Sequence, residues 1–280
     1  NNVLFERRIN FMSSVEELEK KAKVCRQILL KMVYESKSVA HVGGSLSAMD
    51  MAVAVYDRYI NFKDKNRARF VLSKGHVVVM QYAILAELGI IPMEELTTLK
   101  KIGTRLQGHP DINKIPETEM NTGLLGQGLA VAMGMAYARK LSNNDNKIFA
   151  LCGDAELHEG QIWETVQQSA HFKLDNLVAI IDNNGLSSHD PVNKVIDLGS
   201  LEDKFKSFNW NTITVKDGNN MKEVVEALDK LDKLSGKPVA IIMKTVKGKG
   251  VSTLENNPDC HSLTIGDKDF EQAKKDLDIK

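Results

Sequence analysis

The sequence predicts an α/β domain, a doubly wound and mostly parallel sheet with helices on both faces. Three observations carry this expectation. Short apolar runs bounded by turn residues occur at Ile148–Cys152 and Leu177–Ile181 and read as buried strands, and Arg69–Ser73, Asn211–Val215 and Pro238–Met243 read as further strands. Segments of helical length and spacing lie between most of them, and strand–helix–strand units imply right-handed parallel crossovers. No internal repeat, low-complexity segment or interdomain linker interrupts the chain, so residues 1–280 read as one domain.

Taken in order, Ser14 and Glu17 form a capping box ahead of a helix over Val15–Tyr34 with a basic exposed face. The turn His41-Val42-Gly43-Gly44-Ser45 opens a second helix and places backbone N–H groups at its start. That arrangement suits an anion or a close substrate approach, and equally a structural turn. The first strand delivers Lys74-Gly75-His76 to the carboxyl edge of the sheet, and the helix Val77–Leu88 is apolar nearly all round, hence buried. Pro92 precedes a short helix over Met93–Lys101. Gly103–Thr122, with His109, Pro110 and Pro116, is long and irregular, and ordered loops of that length are usually functional. Gly123, Gly126 and Gly128 then lead into an Ala/Met-rich helix. Their spacing is not the dinucleotide fingerprint, and no G-x-x-x-x-G-K-S/T phosphate loop occurs. Close helix packing explains these glycines best on their own; a backbone lying against a flat ligand is the other reading.

The stretch from Lys147 to Asn184 organises the rest. Its two strands flank a helix over Gly160–Phe172; one strand ends in Gly153-Asp154 and the other in Asp182-Asn183-Asn184. Ligands of open parallel sheets bind at the carboxyl ends of the strands, so Asp154 and Asn184 should converge there. A carboxylate and a side-chain amide are hard oxygen donors, suited to magnesium or calcium rather than zinc. Magnesium keeps positions open for phosphate oxygens, which suggests a metal-held phosphate ligand. Either residue alone is an ordinary cap or turn; the pair at this spacing points to the metal. A helix over Met221–Leu234 follows, and the last strand delivers Thr245-Val246-Lys247-Gly248-Lys249-Gly250 to the same edge. Lysines between glycines there suit a diphosphate as well as they suit a solvated loop. His261 and a charged, helical tail complete the sequence.

Bulk properties narrow the function. Thirty-seven basic and 37 acidic residues balance to a formal net charge of zero, giving no electrostatic case for nucleic acid or an anionic membrane. No apolar run approaches a membrane span, and the segment NNVLFERRINFM lacks the pattern of a secretory signal. Cys25, Cys152 and Cys260 are odd in number and lack metal-ligand spacing, which suits reduced thiols and a cytoplasmic location.

The motifs HVGGSLSA, RFVLSKGH, GHP, TGLLGQG, GDAELHEGQIWE, IIDNN and TVKGKG occur in the order found in transketolases. Gly-Asp followed about thirty residues later by Asn-Asn resembles the fingerprint for thiamine diphosphate. The likeness covers the diphosphate-binding domain, and the chain resembles the amino-terminal subunit of a split transketolase. The fold it implies is the thiamine diphosphate-binding one. It implies that Asp154, Asn184 and the carbonyl of Leu186 hold the metal, Mg2+ or Ca2+. His76, Gly123, Leu124, Leu125, Ala155, Lys247 and His261 would contact the cofactor with Asp154 and Asn184, and His41, His109 and His261 would face the sugar. Departures are Ala155 where most members have glycine, Cys260-His261-Ser262 in place of Trp-His-Gly, and Gly44 where some have serine. His158, His171 and His189 have no counterpart and read as surface or packing residues.

What the resemblance implies for activity is transfer of a two-carbon ketol unit from a ketose phosphate to an aldose phosphate, with the cofactor as electron sink. The family's activating glutamate belongs to a pyrimidine-binding domain with no motif here. The expectation is therefore activity only with a separate carboxy-terminal subunit, in a two-plus-two heterotetramer. A non-catalytic binding homologue and the α subunit of a 2-oxo-acid dehydrogenase are the alternatives; the latter leaves RFVLSKGH and the loop histidines unexplained.

Overall fold

The structure, a computed structural model, describes residues 13–279; the NNVLFERRINFM segment lies outside the described residues. Helix α1 (Val15–Ser36) begins with the expected capping box, the Ser14 hydroxyl accepting from the Glu17 amide and the Glu17 carboxylate from the Ser14 amide. Next come α2 (Val42–Ser47), α3 (Met49–Tyr59), β1 (Arg69–Leu72) and α4 (Val78–Glu87). Beyond the irregular stretch 88–126 lie α5 (Gln127–Leu141), β2 (Ile148–Gly153), α6 (Gly160–His171) and β3 (Leu177–Asn183). A small antiparallel hairpin, β4 (Leu186–Ser187) with β5 (Asp190–Pro191), leads through α7 (Val192–Val195) and α8 (Leu201–Ser207) to β6 (Asn211–Val215). The chain continues with α9 (Met221–Leu231), β7 (Val239–Lys244) and α10 (Asp267–Leu277).

The five long strands form one sheet in the order β1-β2-β3-β7-β6, every pair parallel. Side chains alternate between two cores. Phe149 and Leu151 of β2, Val178 and Ile180 of β3, and Val239 and Ile241 of β7 join the core built with α1, α3, α4 and α9. Ile148, Ala150 and Cys152, with Ala179, Ile181, Ala240 and Ile242, face α5, α6 and α8. Coverage on both faces explains why β2, β3 and β7 read as apolar runs rather than alternating ones.

Two elements differ from the sequence expectation. Over Met93–Lys101 the chain forms 3-10 turns that stop at Thr98, because the Thr97 and Thr98 hydroxyls bond back to the Glu94 and Glu95 carbonyls and Lys100 then takes a left-handed φ of 57°. Helix α9 ends at Leu231 rather than Leu234. Among the described residues no helix is long and apolar enough to cross a membrane.

Register levels the strand ends. Gly153 pairs with Asp182 and Asn183 with Lys244, so β2, β3 and β7 finish side by side. At that line Asp182, fully buried, accepts hydrogen bonds from Ser47 Oγ (2.6 Å), Lys74 Nζ (2.6 Å), Asn184 Nδ2 (3.1 Å) and Thr245 Oγ1. Burial pushes this carboxyl up, yet Lys74 and the two hydroxyls outweigh it and hold it below the usual carboxylate range. Removing one partner leaves an uncompensated buried charge. Lys74→Met is accordingly expected to cost about 3–5 kcal/mol, read from the urea unfolding midpoint; a loss below about 1 kcal/mol, the scale of an exposed pair, would refute the assignment.

Candidate active site

A cleft of about 420 Å³ opens at the carboxyl edge. Its floor comes from the β2 and β3 ends. Asp154 follows β2, is 2% exposed, and caps the 3-10 turn Ala155–His158; its Oδ1 accepts from the Ala155 amide (2.8 Å) and its Oδ2 from the Gly185 amide (2.6 Å). Asn184 follows β3. Its Nδ2 donates to Asp182, so its Oδ1 is free to accept, here from the Leu186 amide at 3.1 Å. The sequence-predicted donors Asp154, Asn184 and Leu186 thus line one cleft. Burial, then the Asp182 charge, push the Asp154 carboxyl up to about 6, against the Gly185 and Ala155 amides and the Lys74 charge, which pull it down. The donor set, one carboxylate, one amide and a main-chain oxygen, fits a hard divalent ion with positions left for ligand oxygens. No cluster of three His, Cys, Asp or Glu side chains suited to a metal occurs among the described residues. Ala155 opens its turn outside the left-handed region, so its methyl group brings no backbone strain.

Four elements bring the predicted histidines together. His41 at the start of α2 lies 5.0 Å, centroid to centroid, from His76 after β1 and from His261 near α10. His76 and His261 are 5.8 Å apart. His109 reaches the same cleft from the long loop, its ring lying against Gly123. His261 holds this place despite its altered flanks, since Cys260 is fully buried against Gly43. Lys247, 2% exposed, donates to the Ser188 carbonyl (2.7 Å) and lies 3.3 Å from His261 Nδ1. An ammonium only donates, so Nδ1 accepts and Nε2 carries the ring proton.

Gly123 and Leu125 line the cleft, whereas the Leu124 side chain is 79% exposed and lines an adjoining depression with His109 and Val131. Packing accounts for one of the other glycines. A Cβ on Gly128 would stand 2.5 Å from the Ser73 Cα, so only glycine lets α5 press onto the end of β1.

Sequence reasoning missed two residues. Glu156, 2% exposed, accepts from Ser73 Oγ (2.5 Å), the Gly126 amide (2.9 Å) and the Gly153 amide (3.0 Å), tying three cleft walls together. Asp182 was legible only as the first letter of its motif. His189, exposed at the hairpin tip with its ring 5.9 Å from that of His261, is the surface or packing residue that was expected. His158 against the Ile196 carbonyl and His171 against Phe172 are surface contacts as expected.

The cleft is rich in cations and partly dry, and its imidazoles respond. Burial first, then Lys100, His109, Lys247 and Lys74, lowers His41 to about 4; burial, then Lys247 and His41, lowers His261 to about 4. His76 falls to about 2 through burial, then Lys74 and its neighbouring rings. Unfolded histidines take up protons near pH 6.5 while these stay neutral, so their linkage removes stability as pH falls from about 6.5 toward 4. Asp154, raised to about 6, acts in the opposite sense over part of that window, one group against three. The expected result is that NMR ring-proton signals of His41 and His261 stay unshifted from pH 8 down to about 5; midpoints near 6.5 would overturn this picture.

Comparison with known proteins agrees with this geometry. Residues 18–280 match the family described as transketolase, thiamine diphosphate binding domain. An apulose-4-phosphate transketolase subunit from Phocaeicola vulgatus is 37% identical over 268 residues, covering 94% of each chain. The 6-deoxy-6-sulfo-D-fructose transketolase subunit SqwG of a Clostridium species is 36% identical, covering 94% of this chain and 96% of its own. The crystal structure of Campylobacter jejuni transketolase superposes with a TM-score of 0.87 at 30% identity, over 96% of this chain but 44% of that one. The chain belongs to the transketolase thiamine diphosphate-binding domain family.

Proposed function

We propose that this chain is the diphosphate-binding subunit of a thiamine diphosphate-dependent transketolase, moving a two-carbon ketol unit between sugar phosphates. The observation that carries the reading is the meeting of Asp154, Asn184 and Leu186 with four histidines in one cleft at the sheet's carboxyl edge. Asp154, Asn184 and the Leu186 carbonyl would hold Mg2+ or Ca2+ against the cofactor diphosphate. Lys247, His76, Gly123, Leu125 and Ala155 would border the rest of the cofactor, with the exposed Leu124 contributing through its main chain. When bound, thiamine diphosphate supplies the electron sink for cleavage and formation of the carbon–carbon bond.

The chain's own contribution is to hold that group and to manage protons. Neutral imidazoles at His41 and His109 can accept a proton from a sugar hydroxyl and return it, which the charged forms cannot do. The His261 tautomer set by Lys247 presents an N–H at Nε2. His109 comes from the loop at the mouth, so it would act on a sugar rather than on the diphosphate. The partner would be a separate pyrimidine-binding subunit, as the names of the subunit relatives suggest for those proteins, in a two-plus-two assembly. Three buried, unpaired cysteines support a reducing, cytoplasmic setting, and the pentose phosphate pathway is one route that such a transfer would serve.

Two measurements test the reading. Calorimetry with thiamine diphosphate and magnesium should show Asp154→Ala losing about a hundredfold or more in cofactor affinity while circular dichroism shows an intact fold. Undiminished affinity would contradict the metal assignment. Purified chain should transfer no ketol unit alone and gain activity when the complementary subunit is added; full turnover alone would contradict the division of labour.

A further inference from the structure

Two walls of the cofactor cleft, the turn over residues 123–126 and the strand end at Gly153 and Asp154, meet at one buried carboxylate. Glu156 Oε1 accepts from the Gly126 amide at 2.9 Å and from Ser73 Oγ at 2.5 Å, and its Oε2 accepts from the Gly153 amide at 3.0 Å. Gly126 is the N-cap of α5, and with a left-handed φ of 83° and no side chain it cannot cap its own helix. Glu156 does so from the 3-10 turn Ala155–His158. Its carboxylate takes the N-cap amide, one of the donors that a helix start leaves unpaired, at the positive end of the α5 dipole. The same carboxylate reaches back three residues to the Gly153 amide, immediately before Asp154.

This arrangement dictates the residue type. Each carboxylate oxygen faces a backbone N–H, which can only donate, so both oxygens have to accept. Glutamine has one accepting end and one donating end. Whichever way it turned, its NH2 group would face the Gly126 or the Gly153 amide, donor against donor. The three partners of Glu156 are all neutral, so directed hydrogen bonds hold it in place. Both amides belong to stretches that would hold the cofactor: Gly123 and Leu125 line the cleft just before Gly126, and Asp154 lines it just after Gly153. A shift on either side would change the gap in which the diphosphate and its metal ion would sit.

We propose that Glu156 is a positioning residue for the cofactor: by accepting from both walls at once, it fixes the main chain over residues 123–125 relative to the Asp154 carboxylate. The proposal rests on the transketolase reading above. It adds a residue whose oxygens, both occupied, would touch neither the metal nor the diphosphate. The bond from Ser73 has a separate role. That hydroxyl comes from the end of β1, and removing it leaves both amide bonds in place.

The test compares Glu156→Gln with Ser73→Ala, each as the full chain assembled with the complementary subunit. Three quantities are read: affinity for thiamine diphosphate with magnesium by calorimetry, kcat at saturating cofactor, and the urea unfolding midpoint. Glu156→Gln should lose about ten- to a hundredfold in cofactor affinity, the scale for groups one step removed from a metal, and keep most of its kcat once saturated. Ser73→Ala should lower the urea midpoint and leave the affinity largely unchanged. A lowered midpoint with unchanged affinity in Glu156→Gln, or an equal affinity loss in both variants, overturns the proposal and leaves Glu156 a residue of the fold alone. Should Glu156→Gln fail to fold, Glu156→Asp carries the test. It keeps the charge but is one methylene too short to reach both amides, so its affinity should also fall; unchanged affinity overturns the proposal. If the unmodified assembly binds no thiamine diphosphate, the functional reading falls by itself, and amide hydrogen exchange on the chain alone decides. The Gly126 or the Gly153 amide should then exchange faster in Glu156→Gln than in Ser73→Ala, and equal rates overturn the link between the walls.

Discussion

The buried bond between Lys74 and Asp182 is the constraint on which the site depends. Asp182 sits on the central strand, one residue before the line where β2, β3 and β7 end. Its four donors come from four places in the chain: α2, the end of β1, the turn after β3 and the turn after β7. A fully buried carboxylate with these partners cannot drift, because every lost contact exposes an unpaired charge to a low-dielectric interior. The hydrogen bond to Asn184 Nδ2 then settles which way that amide points and leaves its oxygen toward Leu186. The geometry of the proposed metal site thus follows from a pair that would itself touch no metal.

A second buried network does the same for the opposite wall. Arg26 pairs with Asp50 at 2.5 Å and donates to the Lys249 carbonyl at 3.2 Å. Asn219 donates to Asp50 and to the Ser47 carbonyl, both at 2.9 Å, and accepts from the Val246 amide at 2.9 Å. Lys247 lies between these two fixed points, Val246 and Lys249. Its buried ammonium can therefore be held against His261 and the Ser188 carbonyl without the flexibility a surface lysine would have. Both networks put positive charge at the edge of the cleft while spending the acidic groups inside the fold. The outcome is a site that repels protons from its imidazoles and leaves a place for a multiply charged anion.

Much of this was legible in the sequence because the information was local. The central strands β2, β3 and β7 appear as apolar runs, since the two-faced sheet leaves them no polar side, whereas the edge strand β6 keeps Thr212 and Thr214 between its apolar residues. Asp154 and Asn184 could be paired because parallel topology turns two strand ends into neighbours. The six turns that carry His41, His76, His109, Gly123, Lys247 and His261 were recognisable from residue type and order. The 3-10 geometry of Met93–Thr98 was not, because it depends on hydroxyls bonding back to carbonyls, which competes with a helix that the same letters also permit.

What the sequence hid was partnership across distance. Ser47 and Asp182 are 135 residues apart, Arg67 and Glu119 are 52, and Ser73 and Glu156 are 83. Each reads locally as an ordinary polar residue, and only the fold reveals that it is buried and bonded to the other.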